Sequence, residues 1–553
     1  MVEQAADVDT SSEFRGVETP YQALVRRAHA APAATFLAAP PSAELHYAPD
    51  GFCISYAEAA AEIERRGSRY ARAGFGHGAR VALIIGNRPD FFFHWLALNA
   101  LGAAIVPINP DLGAADLKFQ LDLAEPDLVV AVAEKQALLR SARADVPLIA
   151  PGDEEPPACR ASVIRQHGRP ADECALLFTS GTSDMPKGCV LANEYFWRLG
   201  NWYGAQGGIA EVGEGAETLL TPLPMFHMNA LACSTLGMIM RGGAVVPLDR
   251  FHPRRWWRIV ADSRATVIHY LGVMPAMLLK LPVDAVERAH RVRFGFGAGV
   301  DPRHQEAFEA RFGFPLVEGW AMTETGAGAM TSTAQGPRHV GRRCIGRPVV
   351  PMELRIVDEA GDEVAPGEAG ELLVRARGEP RRGFFDRYLK DPQATEKAWA
   401  GGWFHTGDVV RAGPDGSLFF VDRQKNIVRR SGENIAAIEV EGVLAALDRI
   451  ADAAVAPVSD EMRGEEVCAL IRLNEVRPLD ASEARATARA IVRDCAARLA
   501  YFKAPGWVAF VDAIPTTATQ KLKRAEIRTL AAALVAAGNA VDLRVFKGSL
   551  RHG

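Results

Sequence analysis

Strand-like and helix-like patterns alternate along the first half of this chain, and that alternation limits the folds open to it more than any other feature. Tyr56 to Ala73 carries apolar and small residues at three-to-four spacing, with charges at Glu62, Glu64, Arg65 and Arg66, which predicts a helix. Arg80 to Gly86 follows as an apolar strand, Phe91 to Ala100 as a helix, and Ala103 to Pro107 as a strand. Ala114 to Leu123 then reads as a helix and Leu128 to Val132 as a strand. The same texture returns between Ala216 and Phe314, with strands expected at Thr218, Ala244, Thr266 and Val292. Such alternation implies parallel sheets, because each helix carries the chain back to the start of the next strand and covers a sheet face.

From about Gly346 the texture changes. Short strands (Met352 to Val357, Gly370 to Val374, Ser417 to Val421) are separated by Gly, Pro and Asp turns, which predicts a small antiparallel barrel. Past the charged run Asp422-Arg423-Gln424-Lys425, a helix (Ile438 to Leu447), a strand pair within Ala453 to Leu473, a helix (Ser482 to Leu499) and a strand (Trp507 to Val511) suffice for a second domain. The expected architecture is a large N-terminal α/β domain with two helix-covered, mainly parallel sheets plus a small β-barrel, followed by a smaller α+β domain. A chain of 553 residues exceeds what one core organises, in keeping with that division. The expected boundaries are a polar tail over 1–17, the N-terminal domain over 18–421, a hinge at 422–425 and a mobile C-terminal domain over 426–553.

Bulk properties exclude several classes. A net charge of −4 offers no electrostatic footprint for nucleic acid. Eight scattered cysteines with no Cys-x2-Cys pair argue against a zinc site or disulfide scaffold and suit a reducing cytoplasm. Met1 to Val17 lacks the apolar core of a signal peptide, and the longest apolar stretch, Ala230 to Met240, is roughly half the ~20 residues a membrane span needs. The reading is a cytoplasmic protein, monomer or homodimer, with no nucleic-acid partner.

Leu176-Leu-Phe-Thr179-Ser180-Gly181-Thr182-Ser183-Asp184-Met-Pro-Lys187-Gly188 runs an apolar strand into a hydroxyl-rich loop with one lysine. Backbone amides, small hydroxyls and an ammonium can surround phosphate oxygens there, with Gly181 admitting close approach. The Walker A spacing is absent, and by itself such a cluster is an ordinary solvated turn. Glu318-Gly-Trp320-Ala-Met-Thr323-Glu324-Thr325-Gly326 follows an expected strand at Phe314 to Val317. A carboxylate at a strand end beside a phosphate loop can hold Mg2+. Gly401-Gly-Trp403-Phe-His-Thr-Gly407-Asp408 places an acid in an expected turn, suited to two vicinal ribose hydroxyls or merely to capping the turn. Ser431-Gly432-Glu433-Asn434 is a second glycine-bearing turn, and Ile514 to Arg524 is a polar, flexible-looking loop presenting Lys521.

In this order, these segments resemble the adenylate-forming superfamily of acyl- and aryl-CoA synthetases, peptide-synthetase adenylation domains and beetle luciferases. The resemblance runs from about Tyr56 to Arg524, and the Asp422-to-Ile435 region is most similar to the carnitine/crotonobetaine-CoA ligase group. It implies an ATP-dependent carboxylate–CoA ligase working through an acyl-AMP, with ATP, Mg2+ and coenzyme A as cofactor and co-substrates. By this resemblance Thr179, Ser180, Gly181, Thr182, Ser183 and Lys187 wrap the β- and γ-phosphates. Glu324 ligates Mg2+ and Thr323 sits near the α-phosphate. Trp320 and the turn Gly297-Ala298-Gly299 flank adenine, Asp408 takes the ribose hydroxyls and Arg423 supports it. Lys425 falls on the hinge, and Lys521 bridges the substrate carboxylate and α-phosphate. Gly432 lets pantetheine pass, with Arg429, Arg430 and Lys503 as candidates for CoA phosphates. His227 gates an acyl pocket walled by Met228, Asn229, Thr325, Gly326 and Ala327, with Arg342 and Arg343 as possible anion partners.

Three positions depart from the family pattern: Ser183-Asp184 for Thr-Gly, Trp320 for tyrosine, and Gln520 for the glycine before the lysine. None removes a charge the chemistry needs. Two other functions remain open to the sequence. One is a stand-alone adenylation enzyme serving a carrier protein or amine, although His227 and Asn229 speak against an amino-acid substrate and no Asp-x-Phe-x-x-Leu-Gly-Gly segment follows the small domain. The other is a catalytically weakened nucleotide-binding protein, supported only by Asp184 and Gln520.

Overall fold

The structure, a computed structural model, describes residues 16–42, 45–143, 145–152, 155–159, 163, 168–179, 186–430, 433–460, 463–475, 479–517 and 521–550. The chain divides into two compact units. The first runs to Arg355 and adds Leu373–Thr406 and Ala412–Phe419; the second comprises Ile356–Leu372, Gly407–Arg411 and Phe420–Gly553.

The first unit contains the two expected sheets. In one, Arg80–Ile84 lies between Ala104–Pro107 and Leu128–Ala131, parallel to both. Glu173–Thr179 pairs parallel with Ala104–Pro107 and antiparallel with Lys187–Ala192. In the other, Thr35–Ala39, Ala244–Pro247, Thr218–Thr221, Val267–Leu271, Phe294–Ala298 and Leu316–Trp320 lie side by side in parallel. These strands are mostly apolar because helices cover both faces, as Ala104–Pro107 and Ala244–Pro247, buried at every position, illustrate.

Helix chemistry follows the same logic. Tyr56–Arg72 begins at a capping box, in which Ser55 Oγ accepts from the Glu58 N–H while the Glu58 carboxylate accepts from the Ser55 N–H. It buries one stripe, Tyr56, Ala59, Ile63 and Tyr70. Pro89–Ala100 is buried from Phe91 through Asn99, so it lies between layers.

One expectation needs correction. The short strands after Gly346 do not form a small β-barrel. Met352–Val357, Ala369–Ala376, Phe404–Ala412 and Leu418–Arg423 follow one another in an open order that reaches Cys344–Pro348, with no closure among the described residues. Turn-rich short strands satisfy a twisted sheet margin as well as a barrel, and only pairing of the last strand with the first distinguishes them.

The second unit is built on Gly464–Leu473, which pairs antiparallel with Ile450–Asp460 and parallel with Trp507–Phe510. Ile427–Arg430 and Glu433–Ala436 form a hairpin on its edge. Val440 and Leu444 of Ala437–Leu444 and Ile491 and Val492 of Ala481–Ala496 pack on one face. Ile527 and Ala531 of Arg524–Ala536 pack on the other. This is the expected α+β arrangement.

Candidate active site

In the first unit, Thr179 and Lys187 are direct partners of an antiparallel pair, so the two ends of the hydroxyl-rich segment are held side by side. Ser180, Gly181, Thr182, Ser183 and Asp184 lie outside the described residues. Next to these ends stands Glu324, buried to 5% exposure. Its Oε1 accepts from the Tyr388 hydroxyl at 2.9 Å and from Thr179 Oγ1 at 3.4 Å. The Lys187 ammonium lies 4.6 Å from the Tyr388 ring centroid, a cation–π contact that holds the lysine stem in place. Burial and the adjacent Glu324 charge push both the Tyr388 phenol and the Cys189 thiol well up, so both stay protonated.

Thr323 is anchored through its backbone carbonyl, which accepts from Tyr195 Oη at 2.9 Å. Thr325 is fully buried, and its Oγ1 accepts from the Met322 N–H at 2.9 Å, closing the turn. Gly326 sits at φ +46°, where a Cβ would lie 2.2 Å from Tyr195 Cε2, so this position must be glycine. Among the described residues no three His, Cys, Asp or Glu side chains converge on one point. A cation at Glu324 would therefore take one protein carboxylate and fill its shell with phosphate oxygens and water, the mode Mg2+ favours.

The adenine-side candidates lie on neighbouring strands. Glu318 and Trp320 are inside Leu316–Trp320, which runs past the expected end at Val317. Gly297 closes against Tyr270, whose carbonyl would be 2.2 Å from a Cβ, and Gly299 turns the chain at φ +78°. Glu318 holds this turn: Oε2 accepts from the Gly299 N–H at 2.8 Å, and Oε1 accepts from the Tyr270 hydroxyl. Burial raises its carboxyl to about 7. Ala298 ends its strand, and Trp320 is 7% exposed.

His227 is exposed, with Met228 and Asn229 half-buried behind it. Asn229 opens a π-helical turn, Asn229–Thr235, that continues into Leu236–Arg241. Widened turns of this kind are frequent at functional sites.

In the second unit, Asp408 is 3% exposed and lies within Phe404–Ala412, rather than in a turn before a strand. Gly407 beside it has φ +65°, and its N–H donates to Glu371 Oε1 at 3.0 Å. Arg423 Nε lies 3.3 Å from Asp408 Oδ1. Lys521 lies in the same unit; the residue is exposed, and partial desolvation and then the Arg423 charge lower its ammonium pKa. The Thr517 N–H donates to the Lys521 carbonyl at 2.7 Å and the Lys521 N–H to Thr517 Oγ1 at 3.1 Å. Gln520 and Gly432 lie outside the described residues, and Lys425 is placed in the short helical turn Gln424–Asn426. Two CoA-phosphate candidates are committed elsewhere: Arg430 to Glu466 at 2.8 Å and Lys503 to Glu439 at 2.7 Å.

The family profile described as AMP-binding enzyme matches residues 25–381, and that of its C-terminal domain matches 439–521. The chain is an adenylate-forming, AMP-binding enzyme. The crotonobetaine/carnitine–CoA ligase of Citrobacter koseri is 31% identical over 86% of this chain and 93% of its own. That of Salmonella typhi is 30% identical over the same shares. Among solved structures, o-succinylbenzoate CoA synthetase from Bacillus subtilis with its acyl-adenylate shares the fold at TM-score 0.76, covering 92% of this chain and 98% of that one at 22% identity. An anthranilate CoA ligase bound to anthranoyl-AMP does so at TM-score 0.79, with 94% and 98% coverage and 20% identity.

Three residues of the enzyme's site escaped the sequence reading. Tyr388, Tyr195 and Tyr270 act through hydroxyls aimed at Glu324, the Thr323 carbonyl and Glu318. Tyr195 and Tyr270 sit among apolar neighbours where a tyrosine reads as core, and Tyr388 sits in the charged run Asp386 to Asp391, where nothing marks its hydroxyl. Glu318 carried a signal, an acid amid strand residues.

Proposed function

We propose that the enzyme is an ATP-dependent carboxylate–CoA ligase that forms an acyl-AMP and then an acyl-CoA thioester, releasing pyrophosphate and AMP. The observation that carries this reading is the buried Glu324, fixed by Tyr388 and Thr179 beside the Lys187 end of the hydroxyl-rich segment. A carboxylate so placed, next to phosphate-binding donors, is suited to a metal–triphosphate rather than to a hydrophobic ligand.

The substrate carboxylate attacks the α-phosphorus, an O–P bond forms, and the bond to pyrophosphate breaks. Thr179 through Lys187 hold the leaving pyrophosphate, with Ser180, Gly181, Thr182 and Ser183 donating to its oxygens. Thr323 lies at the α-phosphate, Trp320 and Gly297-Ala298-Gly299 flank adenine, and Asp408 with Arg423 takes the ribose. Lys521 brings its ammonium to the substrate carboxylate and α-phosphate as charge builds there. Mg2+ on Glu324 supplies further neutralisation of phosphate charge when bound. In the second half-reaction the CoA thiol attacks the acyl carbonyl, a C–S bond forms, the bond to AMP breaks and the thiol proton passes to solvent. Gly432 admits the pantetheine arm, and Lys425 is the hinge that exchanges the Lys521 and Gly432 stages. His227, Met228, Asn229, Thr325 and Gly326 line the acyl pocket. No helix of the described residues is long and apolar enough to cross a membrane. All eight cysteines are free thiols, which suits a cytoplasmic enzyme.

The test is formation of AMP and pyrophosphate that requires both an acid and CoA. Lys521→Ala should reduce adenylation by about 100-fold or more while sparing thioester formation from supplied acyl-AMP. Adenylation indifferent to CoA at multiple turnover would instead indicate a carrier or amine acceptor.

A further inference from the structure

A buried polar relay that the catalytic scheme does not use ends at Asn229, a residue assigned to the acyl pocket. Tyr203 Oη is 2.7 Å from His269 Nε2, and His269 Nδ1 is 2.7 Å from Asn229 Oδ1. Tyr203 and His269 are buried to 1% and 0% exposure, and Phe296 and Trp202 pack on the pair. Burial lowers His269 to about 3, so the imidazole is neutral and carries one N–H.

Only one placement of that proton satisfies every buried group. If Nε2 carried it, the ring would donate to Tyr203 and the phenol O–H would have no acceptor among the described residues. A buried hydroxyl left without an acceptor is unfavourable. With the proton on Nδ1, Tyr203 donates to Nε2, the ring donates to Asn229 Oδ1, and nothing is orphaned. The Asn229 oxygen is then consumed by the relay. Its amide nitrogen has no partner among the described residues, and the side chain is half-exposed beside Met228 at the mouth of the π-helical turn.

We infer that Asn229 presents an N–H donor to the acyl pocket and thereby selects acids whose acyl part carries a hydrogen-bond-accepting oxygen (hydroxyl, carbonyl or carboxylate) over their hydrocarbon isosteres. This rests on the carboxylate–CoA ligase reading and on Asn229 lining its acyl pocket. A site built to bond a substrate oxygen rejects the analogue that lacks it, because the donor is left unpaired. Asn229 is a specificity residue, and Tyr203 and His269 are positioning residues acting through it.

The experiment compares kcat/KM for pyrophosphate release on matched acid pairs of equal chain length, one member hydroxy- or oxo-substituted and the other not. The wild-type enzyme should favour the oxygen-bearing member of at least one pair by 10-fold or more. Asn229→Leu should bring that ratio to within about threefold, and Tyr203→Phe should lower it in part. Asn229→Asp, which shows an acceptor instead, should shift preference toward amine-bearing acids. In 15N-histidine spectra, the signal that Asn229-independent subtraction with His269→Gln assigns to position 269 should show protonated Nδ1 and bare Nε2. A protonated Nε2, or wild-type ratios near one on every pair, overturns the inference while leaving the ligase reading intact. Absence of adenylation with any acid, despite the expected tautomer, overturns the ligase reading and the substrate preference with it.

Discussion

Glu466→Gln removes one negative charge from the interior of the C-terminal unit and keeps the side chain's shape. The wild-type carboxylate is fully buried, with Arg430 Nε 2.8 Å from Oε2, Lys547 Nζ 2.6 Å from Oε1 and Arg463 3.7 Å away. It cannot move toward Gly506, where even a Cβ would come within 2.5 Å of Glu466 Cδ. Burial already pulls Lys547 down to about 8, against the upward pull of Glu466. Without that pull the lysine sheds its proton at neutral pH, and roughly one further pKa unit, about 1.4 kcal/mol, completes the cost. Arg430 has no such escape, because a guanidinium does not deprotonate in proteins. It remains buried without a counter-charge, which brings the whole loss to about 3–5 kcal/mol.

Amide exchange in Gly464–Leu473 reads this directly, since those strand amides open only with the unit. Protection there should fall by roughly two to four decades at neutral pH. The pH dependence carries a sign. The folded pKa of Lys547 lies below its unfolded value, so between about pH 8 and 10 the unfolded chain binds more protons, and this group makes stability rise with pH. The substitution moves the onset of that rise below pH 8. Exchange within threefold of wild type at both pH 7 and pH 9 would refute the premise that these charges are desolvated. Arg430 ends the strand before Ser431-Gly432, so thioester formation should suffer more than adenylation.

Tyr388→Phe deletes the 2.9 Å hydrogen bond to Glu324, and loss of a bond to a charged group of about 1.5–3 kcal/mol should lower kcat/KM for adenylation roughly 10- to 100-fold and raise the Mg2+ requirement. An unchanged Mg2+ titration would count against Glu324 as the metal ligand. Glu318 has a folded pKa of about 7, raised by burial above the ordinary carboxylate value, so its contribution to stability is present at low pH and is lost as pH rises from about 4.5 to 7. Melting temperatures of Glu318→Gln should accordingly show less decline than wild type across that window; parallel curves would contradict the assignment. Gly326→Ala places a methyl against Tyr195 and should weaken the Thr323 anchor, with adenylation falling at least 10-fold while nucleotide-independent folding, read by circular dichroism, persists.

Much of the fold was legible because its strands are buried on both faces. Arg80–Ile84, Leu128–Ala131 and Phe294–Ala298 announce themselves as apolar runs, and the helices between them keep a 3.6-residue period. The barrel misreading came from strands whose identity was local but whose closure is a long-range property. Asp408 was misplaced for a related reason: a Gly-bounded acid reads as a turn, whereas Gly407 serves a strand that continues through it.

The site divides along the same line. Thr179, Lys187 and Glu324, assigned to meet the nucleotide, lie in or beside glycine-bearing segments, and Lys521 lies in a polar Thr-rich one, where a charge or hydroxyl stands out against its neighbours. The groups that hold them do not stand out. Tyr195 and Tyr270 satisfy the apolar pattern of their own elements, Tyr388 sits in a two-residue strand with charged flanks, and each acquires meaning only through a hydroxyl reaching a residue at least 47 positions away. His269 is the extreme case, a buried imidazole on a parallel strand whose tautomer is set by Tyr203 and read out at Asn229. Periodicity records which face a side chain takes, and it is blind to the proton that side chain carries. In the inference drawn from Asn229, substrate preference rests on residues that sequence pattern classes as core.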